Sequence, residues 1–360
     1  MIDKIACLRE KLGQQNIDAL LITRQTNIRY LTGYSGEDAY LLLFAQQEAA
    51  FITDFRNLDQ AEQEAKDKEL CFARLSISEP LEKIVSDYCL RYNCRNLAIE
   101  KDHISYALYE KLVQSLPKIS LLPLDDMVGG LREIKNQEEL SYLLKAGAIA
   151  DAAFERLLHD IVPGIRERQL AANLEYYMLC LDAEAPAFAT IVASGANGSQ
   201  CHACPTDKEV QKGDFITIDF GAKYKGYCSD CTRTLILGQP SPRQKEIYEI
   251  VLSVKNTVQP MVKAGAFGKI IHLEAARLLQ VAGLGQYFGH GLGHGIGLDV
   301  HEQPRLSQNS HSILKVGNAV TVEPGVYIRN WGGIRIEDSL IIGETENMLL
   351  SKLSTELICL

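Results

Sequence analysis

The chain has 360 residues, 46% of them hydrophobic and 23% charged, a composition typical of globular proteins and a length that allows two domains. Its formal net charge of -9 disfavours nucleic acid and anionic lipid as partners. The first residues lack the apolar core of a signal peptide, and the longest apolar run, residues 39–45, is too short to cross a bilayer. Ten scattered cysteines then indicate reduced thiols and a cytoplasmic location without a membrane partner.

Residues 1–127 predict a smaller mixed α/β domain. Strand-like runs such as DALLIT, AYLLLFA and NLAIE alternate with helical stretches over residues 3–12 and 58–66. A segment with proline, paired glycines and charge follows, and Asn136 with Glu139 predicts a capping box at a helix start. We therefore place the domain boundary between residues 127 and 128.

Residues 128–360 predict two similar halves, each with two helices followed by strands. In the first half, apolar residues recur at helical period over 140–158 and 170–181, and the runs AFATIVAS and FITIDFGA follow. The same order returns with a helix opening at SPRQKE, a helix over 270–279, and the strands NAVTVEPGVYI and GGIRIEDSLII. We predict an α/β (α+β) domain whose helices lie outside a shared sheet with a concave inner face.

Four acids lie in the predicted strands of this domain, where a buried sheet is normally apolar: Asp219, Asp230, Glu323 and Glu337. A buried carboxylate without a partner is costly or takes up a proton. A salt bridge at a strand end could account for any one of them. Four acids together with His294 instead predict a cluster of negative charge that two divalent cations would neutralise. Such paired ions activate water for hydrolysis.

The segment GHGLGHGIGLDVHE, residues 289–302, combines three histidines with five alternating glycines. Its glycine spacing does not fit a dinucleotide-binding loop, and arginine at position 305 excludes the H-E-x-x-H zinc signature. An extended conformation would direct the even-numbered residues from His290 to Ile296 to one face and the glycines to the other. A packed strand with core histidines is the alternative for any single histidine.

Five motifs match a known group in order and spacing: GANGSQCH, IDFGAKYKGYCSDCTRT, GHGLGHGIGLDVHE, VTVEPG and GIRIEDS. They resemble the pita-bread metallopeptidases of the prolidase and aminopeptidase P group, and NIRYLTGYSG and FITDFR resemble that group's first domain. The resemblance covers almost the whole chain. It implies a pita-bread metallopeptidase domain over 128–360, a creatinase/prolidase-like α/β domain over 1–127, and a homodimer.

The resemblance also implies two divalent metal ions per subunit. Carried over by position, the ligands are Asp219 on one ion, Asp230 and Glu337 bridging both ions, and His294 and Glu323 on the other. Oxygen ligands with one imidazole suit Mn²⁺, Co²⁺, Fe²⁺ or Zn²⁺, and we expect Mn²⁺.

Other positions match residues that act on the substrate. His202 and His301 match the histidines that hold the scissile carbonyl and stabilise the tetrahedral intermediate, and Glu323 matches a residue assigned a proton-shuttle role. Imidazoles at the cavity wall are suitable hydrogen-bond donors for a growing oxyanion. His290 and Arg335 match supporting positions, and we expect Arg335 to orient the bridging carboxylate of Glu337.

Arg305 favours one activity within this group. It follows His301 by four positions and resembles the arginine with which prolidases bind the free carboxylate of proline, although a surface arginine is the alternative. We therefore predict an Xaa-Pro dipeptidase that cleaves dipeptides with proline at the second position. The alternatives are an Xaa-Pro aminopeptidase acting on longer peptides and a pita-bread module that binds a partner without catalysis.

Two C-x-x-C pairs, at Cys201–Cys204 and Cys228–Cys231, leave a structural zinc site as a further alternative. The run FITIDFG between the pairs has the pattern of a buried strand rather than a zinc-binding loop. We therefore interpret the four cysteines as neighbours of the catalytic site, where oxidation or stray metal binding would impair activity.

Overall fold

Residues 3–360 are described by a computed structural model, in which chain contacts separate a first unit that ends at Arg132 from a second unit, Glu133–Leu360. Among these residues, every helix is too short or too polar to cross a lipid bilayer.

The first unit is built on one mixed sheet with helices on both faces. Its helices are α1 (Lys4–Gln14), α2 (Gln25–Thr32), α3 (Leu58–Glu64), α4 (Leu81–Arg91), α5 (Tyr106–Ser115) and α6 (Gly129–Arg132). Its strands are β1 (Ala19–Ile22), β2 (Ala39–Phe44), β3 (Ala49–Asp54), β4 (Leu70–Leu75), β5 (Asn96–Glu100) and β6 (Ser120–Leu124). The order is β4-β3-β2-β1-β5-β6, and two hydrophobic clusters pack against the sheet. The central strands are apolar throughout because both faces are covered.

The second unit contains the helices and strands of the predicted halves. Its helices are α7 (Gln137–Leu157), α8 (Glu167–Cys180), α9 (Pro242–Val258) and α10 (Gly268–Val281). The strands of its first half are β7 (Ala185–Pro186), β8 (Ile191–Ser194), β9 (Phe215–Phe220), β10 (Ala222–Tyr224), β11 (Tyr227–Cys228) and β12 (Cys231–Ile236). Those of the second half are β13 (Gly293–Gly295), β14 (Glu302–Leu306), β15 (Ala319–Val322), β16 (Gly325–Ile328), β17 (Gly332–Arg335), β18 (Asp338–Ile341) and β19 (Met348–Leu349).

Side-chain caps define where two of these helices begin. Asn136 accepts the Glu139 backbone N–H at 3.0 Å, and the Glu139 carboxylate accepts the Asn136 N–H at 2.8 Å, as the predicted capping box requires. Ser241 and Gln244 form the equivalent box at the start of α9. Both boxes satisfy N–H groups that have no partner inside the helix.

Each pair of helices covers one face of its own sheet. Helices α7 and α8 share a hydrophobic cluster with the sheet β12-β9-β8, and α9 and α10 share another with strands of the sheet β14-β13-β15-β18-β19. The helices therefore lie outside the strands, as predicted. The strands do not form one shared sheet, because the long predicted runs break at turns. The two sheets are joined by bonds such as that from the Glu337 N–H to the Thr232 carbonyl, at 3.1 Å.

Candidate active site

The acids predicted to form a cluster lie together on the inner side of the second unit. Asp219 is in β9 and Asp230 directly precedes its neighbour β12, whereas Glu323 directly follows β15 and Glu337 lies between β17 and β18. Together with His294 of β13 they line a cavity of about 460 Å³. The acids come from both halves because the two inner strand faces meet there.

Asp230, His294 and Glu337 form the tightest group of potential metal ligands. One donor atom of each lies within 4.8 Å of the others, and all three residues are buried. His294 Nε2 is 3.6 Å from Asp230 Oδ2 and 3.4 Å from Glu323 Oε1. His294 Nδ1 lies 3.1 Å from the Gly295 carbonyl, which suits an N–H donor and directs the Nε2 lone pair toward the carboxylates. Lone pairs converging on one volume are a suitable ligand set for a cation.

Burial perturbs the protonation of this cluster strongly. Burial, followed by the charge of Glu337, raises the pKa values of Asp230 and Glu323 well above the ordinary range. Burial and the charge of Asp219 raise the pKa of Glu337 to about 8. Burial also lowers the pKa of His294 to about 3, so its imidazole is neutral. Divalent cations would stabilise charged carboxylates and a neutral imidazole at the same time, so the residues fit such ions.

Arg335 is buried beneath the cluster and contacts Asp219 rather than Glu337. Its Nη2 donates to Asp219 Oδ2 at 2.6 Å, and its Nε donates to Thr232 Oγ1 at 3.0 Å. Glu337 is held instead by the Thr232 hydroxyl, which donates to Oε2 at 2.6 Å. The expectation that Arg335 orients the bridging carboxylate is therefore wrong in this structure, because β17 ends at Arg335 and the chain turns before Glu337.

Asp219 has one carboxylate oxygen without a protein partner. Oδ2 accepts from Arg335, whereas Oδ1 is buried and receives no hydrogen bond from any of residues 3–360. A buried acceptor left unpaired is costly, and it is explained most simply by a ligand that is not part of the chain. This oxygen is therefore a second observation in favour of a cation in the cavity.

Tyr327, which the sequence analysis did not identify, connects several site residues. Its hydroxyl accepts from Arg335 Nη1 at 2.7 Å and lies 3.3 Å from His290 Nε2. His290 Nδ1 lies 2.7 Å from the Gly291 carbonyl, so the tautomer protonated at Nδ1 fits both contacts. Burial lowers the pKa of His290 to about 4. Strand alternation could not have found Tyr327, because Glu323 follows β15 whereas the tyrosine lies in β16, a strand of a different sheet.

The predicted substrate histidines also line the cavity. His202 lies in an exposed turn, and the His301 ring centroid is 4.4 Å from that of His294. Burial lowers the pKa of His301, which favours its neutral form. An imidazole carries at least one N–H donor in either protonation state, so both side chains can donate hydrogen bonds to a bound carbonyl oxygen.

Arg305 lies opposite His294 across the β13–β14 ladder and lines the same cavity. The residue is half-buried, and burial lowers the pKa of its guanidinium. Within the described part of the chain it forms no ion pair or hydrogen bond, in contrast to Arg335. A guanidinium that faces a cavity without a protein partner is a suitable site for a carboxylate.

The glycine-rich segment departs from the predicted extended conformation. Before β14 begins at Glu302, only Gly293–Gly295 of this segment is a strand, and the register shifts between His294 and Gly295. His290 and His294 line the cavity, but Leu292 and Ile296 are buried away from it, so the prediction of one common face is wrong for those two. A Cβ atom on Gly293 would lie 2.0 Å from the Thr321 carbonyl oxygen. The glycine therefore allows the strands to approach closely enough to place His294.

The four cysteines near the site do not form a metal site among residues 3–360. The Cys228 and Cys231 thiols are buried and contact the Leu298 and Glu337 carbonyl oxygens, each at 3.7 Å. Cys204 is exposed, and Cys201 is half-buried and lines the cavity. The zinc-site alternative is therefore not supported.

The fold and this acid-rich cavity are those of a metal-dependent peptidase. Metallopeptidase family M24 matches residues 141–344, and the Creatinase/Prolidase N-terminal domain matches residues 4–134. The chain therefore belongs to metallopeptidase family M24, and the resemblance stated from its motifs is confirmed. The M24 family implies divalent metal ions and a peptide substrate.

Full-length relatives extend this similarity. The chain is 41% identical to an uncharacterized peptidase, YqhT, of Bacillus subtilis, covering 99% of this chain and 100% of the relative. It is 35% identical to the Xaa-Pro dipeptidase of Pyrococcus horikoshii, covering 99% of both.

Solved structures confirm the predicted fold class. The Xaa-Pro dipeptidase from Bacillus anthracis aligns with a TM-score of 0.93 at 38% identity, covering 99% of both chains. The X-Pro aminopeptidase from Thermotoga maritima aligns with a TM-score of 0.87 at 33% identity, covering 96% of this chain and 98% of that one. The chain thus has the pita-bread fold preceded by a smaller α/β domain.

Proposed function

We propose that this protein is an Xaa-Pro dipeptidase, which hydrolyses the bond between a first residue and a carboxyl-terminal proline. The observation that carries this choice is the unpaired guanidinium of Arg305, which faces the cavity across from His294. A dipeptide places a free carboxylate one residue beyond the scissile bond, and a guanidinium can bind it through two hydrogen bonds. The relatives named Xaa-Pro dipeptidase support the same choice.

Two divalent ions per subunit form part of the proposal. Asp219 would bind one ion, Asp230 and Glu337 would bridge both, and His294 with Glu323 would bind the other. Bound in this way, the ions would lower the pKa of a water molecule and polarise the substrate carbonyl. The unpaired Asp219 Oδ1 and the convergence of Asp230, His294 and Glu337 support the assignment.

The remaining site residues would act on the substrate directly. His202 and His301 would donate hydrogen bonds to the carbonyl oxygen as negative charge develops on it, which is the stage at which such donors accelerate the reaction. Glu323, which lines the cavity beside His294, would carry the proton to the leaving nitrogen of proline. Arg335 would hold Asp219, and His290 would support the cavity wall through Tyr327.

A set of three substrates tests this proposal. Purified protein is freed of metal, loaded with Mn²⁺, Co²⁺ or Zn²⁺, and assayed on Ala-Pro, Ala-Pro-Phe and Ala-Ala. We expect cleavage of Ala-Pro alone. Arg305→Ala should raise KM for Ala-Pro, whereas Arg329→Ala, which removes an exposed arginine, should leave that KM unchanged. Wild-type cleavage of Ala-Pro-Phe without cleavage of Ala-Pro would refute the dipeptidase assignment.

An Xaa-Pro aminopeptidase is the second candidate, because the structure named X-Pro aminopeptidase from Thermotoga maritima aligns over 96% of this chain. In that case Arg305 would lie beside the path of a longer peptide. Its replacement by alanine would then leave tripeptide hydrolysis unchanged or improve it.

The proposal also covers the native metal, the oligomeric state, the cellular location and the domain boundary. We propose Mn²⁺ as the native metal, a homodimer, a cytoplasmic location, and a domain boundary at residues 127 and 128. The free state of all cysteines in the described chain supports a reducing compartment. Metal analysis after purification without chelators tests the metal, and sedimentation equilibrium tests the dimer.

A further inference from the structure

We infer that Lys135 and Glu302 form a buried ion pair that positions His301 for the reaction. The inference rests on the proposed function only in the role given to His301. Lys135 lies between the two matched family regions, which end at residue 134 and begin at residue 141.

The pair is isolated from solvent. Lys135 Nζ lies 3.3 Å from Glu302 Oε2, and the two side chains are 1% and 7% exposed. Nζ also donates to the Glu133 carbonyl oxygen at 3.4 Å. A charge pair with so little access to water is costly to break, so each side chain constrains the position of the other.

Lys135 itself is anchored by its backbone. Its N–H donates to the Gly317 carbonyl oxygen at 2.9 Å, and the capping box of Asn136 and Glu139 begins one residue later. The ammonium group therefore projects from a segment held by the start of a long helix and by the turn at Gly317. The ammonium group can therefore hold the neighbouring segment that carries Glu302 in one position.

Glu302 transmits that constraint to the segment that carries His301. Its second carboxylate oxygen, Oε1, accepts the Asp299 backbone N–H at 2.9 Å and so closes the turn that contains His301. The carboxylate packs against the main chain at Gly297, where a Cβ atom would lie 2.6 Å from Oε2. The Gly297 carbonyl in turn accepts the Cys228 N–H at 2.8 Å.

His301 therefore lies at the end of a turn, and the next residue, Glu302, is held through both of its carboxylate oxygens. Its ring lies within 4.4 Å of the His294 ring, so a small displacement of the turn would move its N–H group relative to the substrate carbonyl. Displacements of about 1 Å can reduce rates by about 100-fold. Neither Lys135 nor Glu302 is among the residues that line the cavity, so both would act through His301.

Three variants test the inference. Lys135→Met removes the ammonium group that lies beside the Glu302 carboxylate. Glu302→Gln keeps an acceptor for the Asp299 N–H but removes the negative charge, and the double variant removes both charges. We expect Lys135→Met to reduce kcat for Ala-Pro by about 10- to 100-fold while KM changes by less than about threefold. The double variant should recover part of the loss of kcat, because the two opposite charges of the pair are removed together.

Lys208→Met is the matched control. Lys208 forms an ion pair with Asp214 at 2.5 Å in the same unit, and neither residue lines the cavity. The control should lose stability without loss of kcat, with all assays run well below the unfolding temperature of each variant. Equal kcat in Lys135→Met and wild type, or an equal loss in the control, would overturn the inference.

Two readouts separate this inference from the proposed function. Metal content should be unchanged in Lys135→Met, because none of the five proposed ligands is altered, and a loss of metal would contradict a role through His301. A crystal structure of Lys135→Met should show residues 298–302 displaced, and an unmoved His301 would also overturn the inference. Wild-type protein without Ala-Pro activity would refute the proposed function alone.

Discussion

Asp338 and two cations form a buried charge cluster next to the active site, and its charges predict how substitutions change the stability of the protein. Asp338, the residue after Glu337, lies between two cations: Oδ1 is 2.7 Å from Arg233 Nη2 and Oδ2 is 2.5 Å from Lys255 Nζ. The three side chains are between 1% and 4% exposed. The cluster therefore carries two positive charges and one negative charge in the protein interior.

This excess of positive charge predicts that two substitutions lower the free energy of unfolding by different amounts. Asp338→Asn removes the carboxylate that bonds both cations and should lower the free energy of unfolding of the second unit by about 3–5 kcal/mol. Lys255→Met leaves a neutral pair of Arg233 and Asp338 and fills the same volume, so we expect a cost below about 1.5 kcal/mol. For a unit of this size the first change lowers the unfolding midpoint by about 6–20 °C.

Trp331 offers a local assay for this comparison. It is the single tryptophan of the chain, and its ring contacts Phe215 in the second unit at a centroid distance of 5.8 Å. Urea unfolding followed by Trp331 fluorescence, in excess chelator at pH 7.5, therefore reports on the second unit. Equal losses of unfolding free energy in Asp338→Asn and Lys255→Met would refute the argument that uncompensated charge determines the loss of stability.

Three more predictions concern the metal cluster and its surroundings. Removing metal should lower the unfolding midpoint, because ions at 100 times their dissociation constant add about 2.7 kcal/mol to the free energy of unfolding. Glu337→Gln should abolish this metal response and make the metal-free protein more stable, since burial raises the pKa of that carboxyl to about 8. An unchanged unfolding midpoint in the metal-free variant would contradict this. Arg335→Lys should weaken metal affinity by about 10- to 100-fold, measured by competition with a chelating dye. The single nitrogen of lysine cannot reproduce the planar fork in which Nε bonds Thr232 and Nη2 bonds Asp219. Burial lowers the pKa of His272, so the unfolded chain takes up a proton at a higher pH than the folded chain, and stability falls as pH drops below about 6.5. His272→Leu should therefore flatten the dependence of the urea midpoint on pH between pH 5 and 7. A slope identical to that of the wild type would count against this prediction.

Helix ends and strand locations could be predicted because they depend on neighbours in sequence. Asn136 and Glu139 define a helix start through bonds within four residues, and the structure contains them. The acids stood out for the same local reason, since Asp219 interrupts an apolar strand. That these acids line one cavity was expected from the two-half pattern of the chain and from the resemblance of its motifs; strand alternation alone does not give it, because only Asp219 lies within a strand.

Contacts that depend on turns between strands could not be predicted. Arg335 and Glu337 alternate in sequence as if on one strand, but the break between β17 and β18 gives them different partners. Thr232 was missed although it contacts both, because a threonine in an apolar strand carries no sign of a second role. The shift of register at His294 likewise depends on two partner strands that only the folded chain brings together.

The cross-strand pairing of His294 with Arg305 has a consequence for specificity. Directly opposed residues in an antiparallel ladder have Cα atoms about 4.5–5.5 Å apart, whatever their side chains. The backbone thus fixes the distance between His294, a proposed metal ligand, and the arginine proposed to bind the end of the substrate. Mutation of the cavity wall can alter which side chains enter, but changing the accepted peptide length requires changing the register or removing the arginine.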